Sequence, residues 1–535
     1  MKLKKRILSV ILTVHLVVMA IFSCGAAAPQ KDIADVFPAY TLTDADIVKF
    51  EKQLQICERM LNRNAPVSLL EVAVNHLDEL VSHIQTQSLV AEVLYYYDMG
   101  DEEIEYNYLH STEVSSEVSN SYIGFLQDIY TSGVTEYEEL FADWTDVQLK
   151  YLFSGSEEAV ALELRNAEIM TLTNSLSGDE FEEQIGSLYA EFVVNSNQIA
   201  QLGGYENYYE YASELVYVRD YGAEEREVFR EYVAEYIVPI YNDTYVLYSE
   251  AYEALDREGK SLLRDLMYDN FDTLDENYFD GYFATLTPDV EEGMQHMFVN
   301  DNYVTTGSRS SYEGAFTVSV YEEPFCYFGP NYQNLFTVIH EIGHYYGEQC
   351  ADTDWAAYDI LETHSQGNEM LFLTYLEDEL PEDVYAALKY YQLYYMAELI
   401  VQASIVDAFE ECVYNIGDVS SYTTADFDRI MHEVIEDFGI DESDSYMYMS
   451  GEWFWRNVCV SSAVYYVSYA TSAMASLNLY SQSVNDYDAA VESYRKIQEE
   501  IDVDSTFTGT LENAGIPSVF EEEAYQMLTD VFETQ

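Results

Sequence analysis

Basic residues are scarce: 23 lysines and arginines stand against 98 aspartates and glutamates in 535 residues, a formal charge of −75. A field of that sign repels phosphate backbones and anionic lipid heads, which excludes a polyanion-binding role. The acidity itself reads as a solvated surface, with attraction of cationic peptides as a secondary effect. Cysteine is scarcer still, six residues with no CxxC pair and no zinc-knuckle spacing, so a disulfide framework is not indicated. Beyond Cys24, the residues Cys57, Cys326, Cys350, Cys412 and Cys459 read as small buried apolar groups. Nine prolines and 24 glycines punctuate the chain thinly, and no solenoid-type repeat is present.

What is there begins with "MKLKKRILSVILTVHLVVMAIFSCGAAAPQ": a basic head, an apolar run short for a membrane span, then small residues. This is the pattern of an export leader over residues 1–23. "IFSC" resembles a bacterial lipobox with Phe22 in place of the usual small residue, so the expected mature protein is a cell-surface lipoprotein anchored through Cys24, or otherwise a secreted one cleaved after "GAAA". A tether over 24–40 follows. Apolar residues then recur at three- and four-residue spacing through "DADIVKFEKQLQICERMLNR" and "LLEVAVNHLDELVSHIQTQSLVAEVLYYY", the period of amphipathic helices. The expected class is mostly α, with an N-terminal helical region over 41–200 and a catalytic region over 201–535, divided near the two glycines of "QLGGYENYYEY". The tyrosines there read as packing between helices. "GAFTVSVYEEPFCYFGPN" alternates β-branched and aromatic residues and predicts a small sheet or hairpin just before the stretch that carries the chemistry.

That stretch is "NLFTVIHEIGHYYGEQC", Asn334 to Cys350. On a helix His340 and His344 stand one turn apart on one side and can share a metal, while Glu341 projects about 100° away, within reach of a metal's water. Zinc takes neutral imidazoles in a near-tetrahedral set and, in catalytic sites, leaves one position for water. One zinc ion per chain is expected. The third ligand has two candidates. Cys350 stands where an extended HExxHxxGxxH pattern places a third histidine, but a thiolate makes the site more electron-rich and less able to acidify water. Glu362, in "DILETHSQGNEMLFL", supplies the carboxylate of a His₂Glu hydrolytic site, and Glu369 lies two helical turns further along the same face, placed to hydrogen-bond a ligating imidazole. His364, two residues from Glu362, faces elsewhere and is left out of the metal site.

These residues resemble the oligoendopeptidase F and thimet oligopeptidase family of zinc metallopeptidases. The family's HExGH followed by Glu-x-x-Ser and a further Glu is matched by His340, Glu341, Gly343, His344, Glu362, Ser365 and Glu369. The likeness runs through "GAFTVSVYEEPFCYFGPNYQN" and "IAQLGGYENYYEYASELVYVRDYG" and covers roughly residues 190–480. It implies a helical fold with a deep substrate channel, zinc at its floor, a strand around Cys326 to Phe328 that pairs with substrate backbone, and short unstructured peptides as substrates. It also implies a C-terminal histidine followed by tyrosines that steady the tetrahedral intermediate. Here Tyr465, Tyr466 and Tyr469 are present, while no histidine follows His432.

The sequence is therefore read as an exported zinc metallopeptidase, with Glu341 as base and Tyr469, Tyr465 and Tyr466 as candidate oxyanion donors, Tyr465 and Tyr469 sharing one helical face. The alternative is a non-catalytic peptide-binding lipoprotein that retains zinc as a staple, against which an intact Glu341 argues, since a structural site has no use for a base. A peptidase of the extended-motif class using Cys350 is the minor enzyme alternative.

Overall fold

The amphipathic spacing becomes helix through most of the chain, and the alternating segment becomes a three-stranded sheet. The computed structural model describes residues 32–535 apart from 143, 269–276, 287–294, 322, 352, 354–355, 441–450, 453, 503–504 and 535. The leader, Cys24 and the first part of the tether lie outside the described residues. Among the described residues no helix is long and apolar enough to cross a membrane.

The described chain divides into two compact units, one formed by residues 32–155 together with 296–333, the other by 156–295 together with 334–535. In the first, the helices Asp44–Leu61, Val67–Tyr97 and Glu102–Thr131 pack along one another. Local chemistry sets their starts: the Asp101 carboxylate accepts from Glu103 N at 2.8 Å and Ile104 N at 3.1 Å, satisfying donors that the helix leaves open. The sheet has the order β1 (Tyr303–Thr305), β3 (Glu323–Phe328), β2 (Ala315–Val320), with β1 parallel and β2 antiparallel to β3. The β2–β3 hairpin is the one expected between Gly314 and Pro330, and β1 is an addition that its three residues did not announce. Phe316, Val320, Phe325 and Tyr327 pack with Ile33, Phe37, Val90 and Val93 in one buried cluster.

One expectation is corrected here. Cys326, Tyr327 and Phe328 lie in the central strand, where Tyr303, Val304 and Thr305 occupy one edge and Thr317, Phe316 and Ala315 the other. With both edges filled at these three residues, they have no backbone groups left to pair with a substrate strand.

The second unit contains the motif. Its glycine pair at 203–204 closes the helix Gly178–Leu202, with Gly204 at φ 89°, a conformation that suits glycine at a helix end. Downstream come the motif helix Leu335–Cys350, the glutamate helix Tyr358–Glu379 and the long helix Glu382–Tyr414. The tyrosine helix Val467–Asn485 and the helix Tyr487–Glu499 complete the surroundings of the motif. The glutamate helix is buried nearly all round, and it carries Asp359, Glu362, His364, Gln366, Asn368 and Glu369 inside the protein. Small residues of the tyrosine helix, among them Ala470, Ser472, Ala473 and Ser476, are buried with it.

Candidate metal centre

The motif helix starts at a cap: the Asn334 side chain accepts from Thr337 N at 3.1 Å. Leu335, Val338, Ile339, Ile342 and Tyr345 bury one face, which fixes the rotation of the helix and with it the direction of the histidines. Its glycines set the distance to the glutamate helix. A Cβ on Gly343 would lie 2.4 Å from the His364 carbonyl oxygen, and one on Gly347 would lie 2.2 Å from His364 Nδ1. The two helices therefore meet backbone to backbone, closer than any side chain allows.

That approach brings Glu362 to the histidines. Glu362 Oε2 lies 3.9 Å from His340 Nε2 and 3.9 Å from His344 Nε2. The three residues form the one cluster of potential metal ligands among the described residues, with donor atoms within 4.8 Å of one another. A tetrahedral zinc with bonds of about 2.0–2.1 Å wants donors about 3.4 Å apart, so a small side-chain adjustment suffices. The donor chemistry fits as well. His344 Nε2 is buried without a hydrogen-bond partner, while the ring bonds the Leu361 backbone carbonyl, which leaves the Nε2 lone pair directed at the cluster. Glu341 is buried at 2 % exposure beside the two histidines.

Two of the three residues are held from behind. His340 Nδ1 lies 2.7 Å from Glu369 Oε1, and Gln392 Nε2 donates to Glu369 Oε2 at 2.7 Å, so the carboxylate that orients the imidazole is itself oriented. On Glu362, the Tyr465 hydroxyl donates to Oε1 at 2.5 Å, and the Ser365 hydroxyl lies 3.4 Å from Oε2. Tyr465 thus occupies one carboxylate oxygen while the other faces the histidines.

The charges respond to this crowding. Burial lowers the His340 imidazole, but the hydrogen bond and charge of Glu369, with the charges of Glu341 and Glu362, outweigh it and carry the ring to about 9. Burial, helped by His340 and His364, pulls His344 well below its usual value. Burial raises Glu362 against the opposing pull of His340, Tyr465 and Ser365. A metal at this cluster would compete with the proton that these carboxylates favour on His340.

The other candidates fall outside the cluster. Cys350 ends the motif helix as an exposed residue and interacts with Tyr346. His364 is buried with Nε2 3.0 Å from the Ile497 carbonyl oxygen, and burial lowers it to about 4. Tyr465 and Tyr466 lie in the turn before the tyrosine helix, which begins at Val467, so Tyr465 and Tyr469 do not share a helical face as expected. They meet ring to ring instead, edge on at 4.9 Å, and Tyr466 lies edge on to Tyr469 at 5.6 Å.

Several residues that bear on the site escaped the sequence reading. Beyond the π-helical turn Ala212–Val216 the chain leaves the helix as "YVRDY", with Tyr217 N closing the turn on the Ala212 carbonyl at 2.9 Å and Arg219 N reaching back to the Ser213 carbonyl at 2.9 Å. Alternate side chains of this run point inward. Tyr217 donates to the Ala463 carbonyl at 2.7 Å, Arg219 Nη2 to the Val464 carbonyl at 2.8 Å, and Tyr221 to Asp359 Oδ1 at 2.7 Å. Val464 N donates to Glu410 Oε1 at 2.8 Å, and Val464 itself has φ 65°. A β-branched residue in the left-handed region costs on the order of 1–3 kcal/mol and persists only where its surroundings enforce it. The available signal was composition: an arginine placed among tyrosines in a chain so poor in basic residues.

The fold has known counterparts. Solved structures superpose on nearly the whole chain. A structure assigned as oligoendopeptidase F from Bacillus anthracis matches with a TM-score of 0.69 at 15 % identity, over 93 % of this chain and 98 % of the other. The fold is that of the oligoendopeptidase F structures. PZ peptidase A, solved with an inhibitor, matches with a TM-score of 0.69 at 17 % identity, over 94 % and 98 %. Oligoendopeptidase F from Enterococcus faecium matches with a TM-score of 0.51 at 11 % identity, over 92 % and 99 %. No family model and no curated protein matches the sequence. The likeness thus lives in the helical architecture, at identities where sequence alone carries little beyond the motif.

Proposed function

We propose that this protein is an exported zinc metallopeptidase that hydrolyses short, unstructured peptides at the cell surface. The observation that carries the reading is the convergence of His340 Nε2, His344 Nε2 and Glu362 Oε2, with Glu341 buried beside them, in a fold shared with oligoendopeptidase F structures. His340, His344 and Glu362 would hold the ion, and Glu369 and Tyr465 would fix the orientation of two of them. When bound, zinc lowers the pKa of water toward neutrality and polarises a carbonyl oxygen. Glu341 takes the proton of the attacking water and returns it to the leaving amine, a role that needs a carboxylate within one water of the ligands. With the Tyr465 hydroxyl engaged by Glu362, Tyr469 is the hydroxyl we assign to the developing oxyanion.

Fluorogenic peptides of graded length, assayed with and without a chelator, test the reading. The expected result is hydrolysis of short peptides, lost on chelation, restored by zinc and absent in Glu341→Gln. Zinc binding without turnover of any peptide would favour the non-catalytic peptide-binding alternative.

A further inference from the structure

A buried ion pair lies one layer behind the third ligand. Arg219 and Asp359 have fully buried side chains, with Arg219 Nε 3.6 Å from Asp359 Oδ2. Asp359 stands three residues before Glu362 in the first turn of the glutamate helix, and it also accepts from Tyr221, from Ser468 at 3.0 Å and from Thr471. Arg219 Nη2 reaches the Val464 carbonyl at 2.8 Å, the Tyr465 carbonyl at 3.2 Å and Ser468 Oγ at 2.8 Å. One guanidinium therefore ties the start of the helix that bears Glu362 to the backbone turn that bears Tyr465. Those two elements meet again, side chain to side chain, at the Tyr465–Glu362 hydrogen bond. Tyr217 and Glu410 hold the same turn at Ala463 and Val464, and Val464 keeps a left-handed backbone that an unrestrained turn would relax.

We infer that Arg219 and Asp359 are positioning residues that hold the Tyr465 hydroxyl on Glu362 Oε1 and so keep Oε2 turned toward His340 and His344. The inference rests on the reading of those three residues as a zinc site and deepens it, because it assigns the preorganisation of the site to a pair that touches neither metal nor substrate. Arginine suits the role because its planar fork spans a carboxylate and two backbone carbonyls at once, which a single ammonium cannot do. The hydroxyl it positions acts on a metal ligand, where loss of such a partner costs about 10–100-fold in metal affinity or activity.

The test is a double-mutant cycle on zinc affinity, read by competition with a chromophoric chelator, with thermal melting of each variant alongside. Tyr465→Phe and Arg219→Lys should each weaken zinc binding about tenfold or more, and the double variant should bind no more weakly than the weaker single one, since the second change removes a support that no longer bears on the ligand. Independent, multiplying losses would overturn the inference, and so would an Arg219→Lys protein that melts earlier yet binds zinc like the parent. Should Arg219→Lys fail to fold, Tyr217→Phe, which removes only the bond to the Ala463 carbonyl, takes its place in the cycle under the same criteria. A parent that takes up no zinc would remove both this inference and the metal-site reading, whereas multiplying losses in a zinc-binding parent remove this one alone.

Discussion

At the scale of single residues, two carboxylates on neighbouring helices have opposite tasks, and substitution separates them. Glu341→Gln preserves shape but cannot accept a proton. It should keep zinc and lower kcat by roughly 10²–10⁴, measured on the best peptide substrate together with the metal content. Glu362→Ala should lose the metal, because the two imidazoles that remain leave zinc short of its usual three protein ligands. Cys350→Ser should keep it, since Cys350 is exposed at the helix end and outside the ligand cluster; loss of zinc on this change would transfer the third ligand to the thiol. The tyrosines divide in the same way. Tyr465→Phe should act on zinc affinity through Glu362, while Tyr469→Phe should leave zinc and KM near parental values and reduce kcat about tenfold or more. Equal kcat in Tyr469→Phe and parent would leave the oxyanion to the metal.

At the scale of elements, the close contact of the motif and glutamate helices makes Gly343 and Gly347 sensitive positions. An alanine would gain about 1 kcal/mol of helix propensity at either. The added carbon would meet a backbone carbonyl at 2.4 Å in one case and a buried ring at 2.2 Å in the other, and overpacking of that kind costs about 1–3 kcal/mol or more. Both alanine variants should therefore melt earlier than the parent, with Gly343→Ala also weakening zinc, since its clash pushes against the backbone of His364 and Ser365, within one helical turn of Glu362. A higher melting temperature in both would refute the close approach. The same pair of helices shows what the sequence disclosed and what it withheld. The period of "LFTVIHEIGHYYG" gave the motif helix its buried face, and the seven-residue step from Glu362 to Glu369 placed both on one side of a second helix. That this second helix is buried on every side was illegible, because polar residues such as Asp359, His364, Gln366 and Asn368 carry no mark of burial until their partners are known, and those partners, such as the Ile497 and Ile339 carbonyls, lie far off in sequence. The tyrosine run was misread for a related reason. A helical period extended backwards from 467 ignores the left-handed Val464, whose conformation is enforced by Arg219 and Glu410 and not by its neighbours. The hairpin was legible from alternation; that its second strand is the central one was not, since the three residues of β1 carry too short a pattern to announce a parallel partner.

At the scale of the whole molecule, a zinc ion held as proposed, by residues on two helices of the folded state, should stabilise that state by mass action, about 2.7 kcal/mol when free zinc stands at 100 times Kd. Calorimetry with zinc and with a chelator measures this, and unchanged melting would speak against the site. The charge of −75 predicts a second behaviour. Peptides carrying lysine or arginine should show lower KM than matched neutral ones at low ionic strength, and the difference should fade above about 0.15 M salt as the Debye length falls to about 8 Å. A salt-independent ratio would mean that the acidity serves solubility alone. The Arg219 clamp has a further consequence, for biosynthesis. The carbonyls that Arg219 grips lie 245 and 246 residues downstream of it, well beyond the histidines and Glu362. A ribosome that has delivered the whole HExGH motif and its glutamate has still not delivered the turn that aims the ligand, and Arg219 must wait for those acceptors. A nascent chain that stops short of this turn therefore carries His340, His344 and Glu362 without the contacts that aim Glu362, so on the proposed reading the site is finished only after residues 464 and 465 have emerged.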